Sequence, residues 1–285
     1  MSRPKVTVHD IQKAKQEKRK LVMMTAYDYP FGLMADEAEA DIVLVGDSLG
    51  MVVMGLDGTV AVTVEDMIHH IKAVMRGCKT CLVVGDMPFM SYNTSIREAI
   101  ANAGRLMKEG GCDVVKLEGG VHFAPVVEAI VKAGIPVQGH IGLTPQTASA
   151  LGGFKMQGKD AAAAKQIVDD ALAIEAAGAF SIVLEAVPAP LGQLIAETVK
   201  VPIIGIGAGP GVDGQVLVTH DMVGLFDRFV PKFVKQYTKI RPVILDALRA
   251  YKQEVQEVKF PAPEHSFKMP DEALKQLKKM MKAKK

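Results

Sequence analysis

Four acidic residues end short apolar runs: Ile42-Val-Leu-Val-Gly-Asp47, Leu82-Val-Val-Gly-Asp86, Val114-Val-Lys-Leu-Glu118 and Ser181-Ile-Val-Leu-Glu185. Each run reads as a buried strand. Each acid shares alternation parity with the residues two and four before it, so period-2 geometry points it the way they point. If the strands are parallel and close into a barrel, the four carboxylates meet at one mouth, where such barrels carry their chemistry.

Asp47 and Asp86 both occur as Gly-Asp, and neither adjoins the helix that follows it. That weakens the reading of either as a helix cap. Two matched acids on adjacent strands suit a shared ion, and an all-oxygen site with open positions suits Mg²⁺. Lys116 and Glu118, two apart, share a strand face: they form an ion pair at the mouth, or Lys116 is the cation for a substrate carboxylate with an acid beside it. Glu185 has no Lys or Arg within ten residues on either side. It is a candidate general base unless another strand supplies a cation. His140, in Gly-His-Ile-Gly, projects from its strand either as a satisfied core histidine or as a site residue. Gly205-Ile-Gly-Ala-Gly-Pro-Gly211 does not fit a dinucleotide fingerprint, and tight turning explains its glycines at least as well as a phosphate cradle does. Cys78-Lys-Thr-Cys81 has no second pair and no nearby histidine, so Cys81 is expected in the core.

The elements that would position these groups alternate. A helix over 7–17 precedes a strand over 21–27; then helix 30–39, strand 42–47 and a Gly- and Met-rich segment over 49–62 that reads as a lid. Capping sequences at Thr63-Val-Glu-Asp66 and Ser95-Ile-Arg-Glu98 open two further helices, the second stopping at Gly110-Gly111. Strands 113–118, 136–141, 181–187, 201–206 and a weaker 215–218 alternate with helices 122–133, 160–177 and 190–199. Eight units favour closure over an open sheet, which predicts a single α/β domain, a (β/α)8 TIM barrel with an N-terminal helix and a C-terminal helical extension. The barrel domain is drawn over 1–267 and a basic tail, helical or disordered, over 268–285. That tail holds seven lysines against Asp271 and Glu272, so a chain of net charge +2 leaves −3 for the rest. A near-neutral body offers no groove for nucleic acid, and no run is apolar enough to cross a membrane. A cytoplasmic protein acting on small molecules is expected.

Taken together the segments resemble the ketopantoate hydroxymethyltransferase family. The resemblance rests on Met24-Thr-Ala-Tyr-Asp-Tyr, Val45-Gly-Asp-Ser-Leu-Gly, Gly85-Asp-Met-Pro-Phe-Met-Ser-Tyr92, Val115-Lys-Leu-Glu-Gly-Gly120, Gly139-His-Ile-Gly-Leu-Thr-Pro-Gln146 and Leu184-Glu-Ala-Val-Pro188, in order along nearly the whole chain. It implies a (β/α)8 barrel that moves a one-carbon unit from 5,10-methylenetetrahydrofolate to 3-methyl-2-oxobutanoate, giving 2-dehydropantoate. Carried over by position, it implies Mg²⁺ at Asp47, Asp86 and Glu118, with Glu118 a ligand or a group just behind the ligands. It places substrate at Asp47, Ser48, Asp86 and Lys116 and the catalytic base at Glu185; His140, from its strand position, is a possible supporting residue behind them. It also implies a homo-oligomer, a decamer or similar large ring. The competing reading is a Mg²⁺-dependent lyase or mutase barrel on a 2-oxo acid, without folate; the Lys-Lys-Cys-Gly-type loop of that group is absent from this sequence.

Overall fold

The computed structural model describes residues 3–150 and 152–283. By packing, the chain divides into Met1–Tyr237 and Thr238–Lys285. That division precedes the 267/268 boundary drawn from charge, because lysine content marks where the chain becomes basic and not where its core ends.

In the first unit, α1 (Val8–Gln16) leads to β1 (Leu21–Thr25), α2 (Tyr29–Glu37), β2 (Ile42–Val45), the short α3 (Leu49–Val52), α4 (Val64–Gly77) and β3 (Leu82–Asp86). Then come α5 (Ile96–Arg105), β4 (Val114–Glu118), α6 (Ala124–Lys132), β5 (Val137–Gly142), α7 (Ala161–Ala176), β6 (Ser181–Glu185), α8 (Ala189–Thr198), β7 (Ile203–Ile206), β8 (Gly214–Leu217) and the short α9 (Thr219–Met222). The eight strands pair in chain order, all parallel, and β8 closes on β1 through Leu21↔Gly214 to Met24↔Leu217. The weakest strand expected from sequence is thus the one that completes the barrel.

Local chemistry explains the helix starts. Thr63 caps α4 through a reciprocal box with Asp66, and Asp28 and Asp160 cap α2 and α7. At Ser95 only half of the expected box forms. Its hydroxyl accepts from the Glu98 N–H, but the Glu98 carboxylate takes the Thr94 hydroxyl instead. α5 continues as a π-helical turn, Leu106–Gly110, and ends at Gly111 with φ +91°.

Two apolar layers hold the barrel. Inside, Met23, Ile42, Leu44, Leu82, Val84, Val114, Val183, Ile204 and Val216 pack together, with Val6, Ile11 and Ala14 joining them from the N-terminal segment. Outside, Val43, Val45, Val83 and Val115 pack with Met67, Ile71 and Val74 of α4 and Ile130 of α6. Cys81 lies in this layer, fully buried, its thiol donating to the Ala40 carbonyl at 3.0 Å.

The glycines after β7 are packing sites. A Cβ on Gly209 would stand 2.3 Å from Cβ of Ala189 at the start of α8, and one on Gly211 2.6 Å from Gln193 Cβ. Segment 49–62 opens with α3 and is anchored by the buried Leu49, Thr59 and Val62. The second unit holds α10 (Ile240–Gln256) and α11 (Asp271–Lys282), so the tail is helical over Asp271–Lys282. Phe260 packs there against Tyr251 and His265, with centroids 5.6 and 5.2 Å apart.

Candidate active site

Strand register builds the floor of the site. Asp86 of β3 pairs with Lys116 of β4, and Glu118, two residues on, pairs with His140 of β5. Glu185 ends β6, in register with Gly142 and Ile206. For Asp86, Glu118 and Glu185 the alternation argument holds: Val84, Val114 and Val183 on the same faces lie in the barrel interior.

For Asp47 it fails. Val43 and Val45, which share its parity, face the helix layer, whereas Ile42 and Leu44 face inward. β2 stops at Val45, and the chain turns at Gly46. Asp47 reaches the mouth because it has left the strand. Its N–H donates to Asp86 Oδ2 at 3.2 Å, joining it to the end of β3.

Asp47, Asp86, Lys116, Glu118, His140 and Glu185 all line one cavity, about 1020 Å³ counted out to its open rim. All but Glu185 are at most 4 % exposed. Of the two readings open for Lys116 and Glu118, the ion pair between them is not the arrangement found among the described residues. Lys116 Nζ instead lies 2.7 Å from Asp86 Oδ1 and 3.2 Å from His140 Nδ1. Glu118 Oε1 lies 3.4 Å from His140 Nδ1, and His140 Nε2 lies 3.2 Å from Glu185 Oε2. The cation that sequence could not find for Glu185 is therefore His140, from the neighbouring strand. Asp86 Oδ1 and His140 Nε2 are buried and make these contacts off the hydrogen-bond line, so each keeps hydrogen-bonding capacity unfilled.

The electrostatics follow from burial and from which sign is in excess. Burial opposes a charge on Lys116, but Asp86, Glu118 and Asp47 outweigh it and hold the ammonium charged. Burial and Lys116 likewise oppose protonation of His140; the Glu118 and Glu185 carboxylates that bracket its ring win, lifting it to about 9. Burial raises Glu118, yet His140, Lys116 and the Gln146 N–H bring it below the usual range. Asp47 is pushed well up by burial and by the nearby Asp86 and Glu118 charges, and Asp86 is raised by burial against the pull of Lys116. When all ionise, four carboxylates face two cations.

In the sequence Gln146 is only the end of the Leu143-Thr-Pro-Gln146 motif, and the structure makes it a junction. Its side-chain Nε2 donates to Asp47 Oδ2 at 2.8 Å and to the Met87 carbonyl at 2.9 Å. Its backbone N–H donates to Glu118 Oε2 at 3.0 Å, and the buried Tyr92 hydroxyl donates to its Oε1 at 2.6 Å. A glutamine after Thr-Pro carries no chemical signal of its own; only the fold brings it back over the mouth. The contacts trace a circuit, Asp47, Asp86, Lys116, His140, Glu118, Gln146 and back to Asp47, in which the Lys116–His140 step brings two cations together between flanking carboxylates. Ser48 also lines the cavity, 2.8 Å from the Tyr27 hydroxyl.

The residues fit a divalent cation. Asp47 and Asp86 form an anionic pair short of positive charge, with a buried oxygen lacking a hydrogen bond. Among the described residues no three His, Cys, Asp or Glu side chains close into a cage. A cation held by two carboxylates, with other positions left to water and substrate, is the arrangement typical of Mg²⁺. Both Glu118 oxygens are already engaged, by His140 and Gln146.

A parallel (β/α)8 barrel with buried acids, a lysine and a histidine gathered at the carboxyl ends of its strands defines the class: an enzyme of the barrel type, with its site at the usual mouth. Within that class, the chain belongs to the ketopantoate hydroxymethyltransferase family, whose model matches residues 5–263. It is 58 % identical over 268 residues to the 3-methyl-2-oxobutanoate hydroxymethyltransferase of Heliobacterium modesticaldum, covering 94 % of this chain and 97 % of that one. To the enzyme of the same name from Carboxydothermus hydrogenoformans it is 55 % identical over 273 residues, covering 96 % and 99 %. Among solved structures, phosphonopyruvate hydrolase in complex with oxalate and Mg²⁺ aligns with TM-score 0.60 at 11 % identity, covering 97 % of this chain and 96 % of that one. A 2,3-dimethylmalate lyase aligns with TM-score 0.59 at 12 % identity, covering 90 % and 92 %. At such identities these two likenesses speak for the fold alone. Among the described residues no helix is long and apolar enough to cross a membrane.

Proposed function

We propose that this protein transfers a hydroxymethyl group from 5,10-methylenetetrahydrofolate to C3 of 3-methyl-2-oxobutanoate, forming 2-dehydropantoate. The observation that carries the reading is the position of Glu185 on β6, across the eight-stranded ring from the Asp47–Asp86 pair at the ends of β2 and β3, in a chain of this family.

C3 of the oxo acid is a tertiary carbon whose proton is only weakly acidic, so removing it requires a base and a place for the charge that develops. Glu185 is the base: the cation its neighbouring strand supplies, His140, approaches only one of its oxygens and off the hydrogen-bond line, so the other oxygen is left for the C3 proton. Asp47 and Asp86 hold Mg²⁺, and Glu118 stands behind them, fixed by His140 and Gln146. When bound, the cation supplies a Lewis acid for the carbonyl and carboxylate of the oxo acid. Lys116 keeps a permanent positive charge beside that position, and Ser48 offers a hydroxyl to the same substrate. We infer a cytoplasmic protein and, as the family resemblance implies, a homo-oligomer of about decamer size; sedimentation velocity tests the assembly.

The reaction is tested by deuterium exchange at C3 of 3-methyl-2-oxobutanoate in D₂O, followed by NMR, with and without Mg²⁺ and tetrahydrofolate. Exchange that needs the metal is the expected result. Absence of exchange under every condition overturns the reading.

A further inference from the structure

The chemistry above leaves one buried acid in the cavity unused. Asp221, in α9 just after β8, is 7 % exposed, and its Oδ1 is buried without a hydrogen-bond partner. Burial alone raises its carboxyl to about 6. Among the described residues lining the cavity, it is the one ionisable group besides Asp47, Asp86, Lys116, Glu118, His140 and Glu185.

The chain that follows it supplies aromatic lining. The Phe226 N–H donates back to the His220 carbonyl at 3.2 Å, and Phe226, Phe229 and Phe233 all line the same cavity. Phe233 lies against Gly207, where a Cβ would stand 2.7 Å from the ring, so the absence of a side chain there lets the ring approach the end of β7. Phe229 remains 62 % exposed at the rim.

A buried carboxylate oxygen without a partner is costly unless a ligand supplies donors. Flat rings lining the same cavity favour a flat ligand. A five-carbon anionic oxo acid offers no N–H or O–H donor to this oxygen and no aromatic face to these rings. A 2-amino-4-oxopyrimidine fused ring offers both: its N3–H and 2-amino N–H lie parallel and match a carboxylate in the same two-pronged way as a guanidinium.

We propose that Asp221, with Phe226, Phe229 and Phe233, binds the aminopyrimidinone head of the one-carbon donor. Asp221 accepts from N3–H and the 2-amino group, and the phenyl rings cover a face of the heterocycle. This assignment rests on the reaction proposed above.

The test is a titration of the full-length, Mg²⁺-supplied protein with 6-methyltetrahydropterin and with its analogue carrying methyl in place of the 2-amino group, read by calorimetry at pH 8. In the natural protein, affinity for the analogue should be about 10-fold or more weaker, the scale of losing a hydrogen bond to a charged group. Asp221→Asn should lose a similar factor for the parent pterin and little more for the analogue, because both changes remove the same interaction. Asp221→Asn binding the parent as the natural protein does, or losses that simply add, overturns the subsite and leaves the reaction standing. If the natural protein binds neither pterin, the donor reading fails and the subsite with it, while C3 exchange still reports on the oxo-acid half. Should Asp221→Asn not fold, Phe229→Ala carries the test: it should weaken both pterins alike by several-fold. Unchanged binding there, together with equal affinity of the natural protein for the two pterins, overturns the proposal.

Discussion

His140 Nε2 stands 3.2 Å from Glu185 Oε2, an approach that sets a histidine on β5 beside a carboxylate on β6. The Glu185→Gln substitution keeps the shape and removes the proton acceptor. Turnover and C3 exchange should fall on the order of 10²-fold or more, with binding of 3-methyl-2-oxobutanoate retained. Near-normal exchange in that variant would assign the base elsewhere.

The same histidine should leave a signature in stability. With its folded value raised from 6.5 to about 9, His140 contributes stability that is fully present below pH 6.5 and lost as pH rises through 9. The loss should reach roughly 3 kcal/mol in metal-free protein, taking 1.36 kcal/mol per pKa unit. Urea titrations from pH 6 to 9.5, compared with His140→Gln, isolate this contribution. Parallel curves for the two proteins would show that the ring is not charged in the fold.

Asp47 should behave in the opposite sense. Burial and its acidic neighbours raise it, so ionised Asp47 costs stability when no metal is present. Metal-free Asp47→Asn should therefore melt above the metal-free parent. Saturating Mg²⁺ should stabilise the parent, by about 2.7 kcal/mol at a hundred times Kd, and barely move the variant. Scanning calorimetry with and without EDTA decides it, and equal metal-induced shifts would remove Asp47 from the ion site.

Gln146→Ala would strip Asp47 Oδ2, the Met87 carbonyl and the Tyr92 hydroxyl of their shared partner. Mg²⁺ affinity should weaken about 10-fold or more, the usual loss when a group orienting a ligand is removed. A purely structural role would lower the melting temperature and leave the Mg²⁺ titration midpoint where it was.

Gly77→Ala probes the scaffold away from the chemistry. A Cβ on this last residue of α4 would stand 2.6 Å from Leu33 N and 2.7 Å from the Tyr29 carbonyl, both backbone atoms of α2. Forcing the helices apart should cost about 1–3 kcal/mol, read as a lower urea midpoint with an unchanged slope. A neutral result would mean that α2 yields easily.

Much of this architecture was legible in the sequence because barrel strands announce themselves as apolar runs and their helices by caps and stops. Lys116, Glu118 and His140 sit inside regular strands, so parity placed them correctly. Asp47 was found by the wrong route: parity pointed it outward, and the turn at Gly46, which no periodicity encodes, brought it in. The partners were less legible than the positions. Lys116 belongs to Asp86 and Glu118 to His140, pairings made by register between strands. Gln146 was least legible of all, since its importance lies in where a loop returns.

The closed circuit of contacts around the mouth has a topological consequence. In a linear chain of supports, one break isolates everything beyond it; in a loop, each member is reached from two sides, and a single break leaves one connected arc. The six residues from Asp47 to Gln146 therefore share redundancy. The shape of the charged floor is a collective property: one break loosens the groups beside it while the rest stay joined, and each lesion becomes more damaging in the company of another.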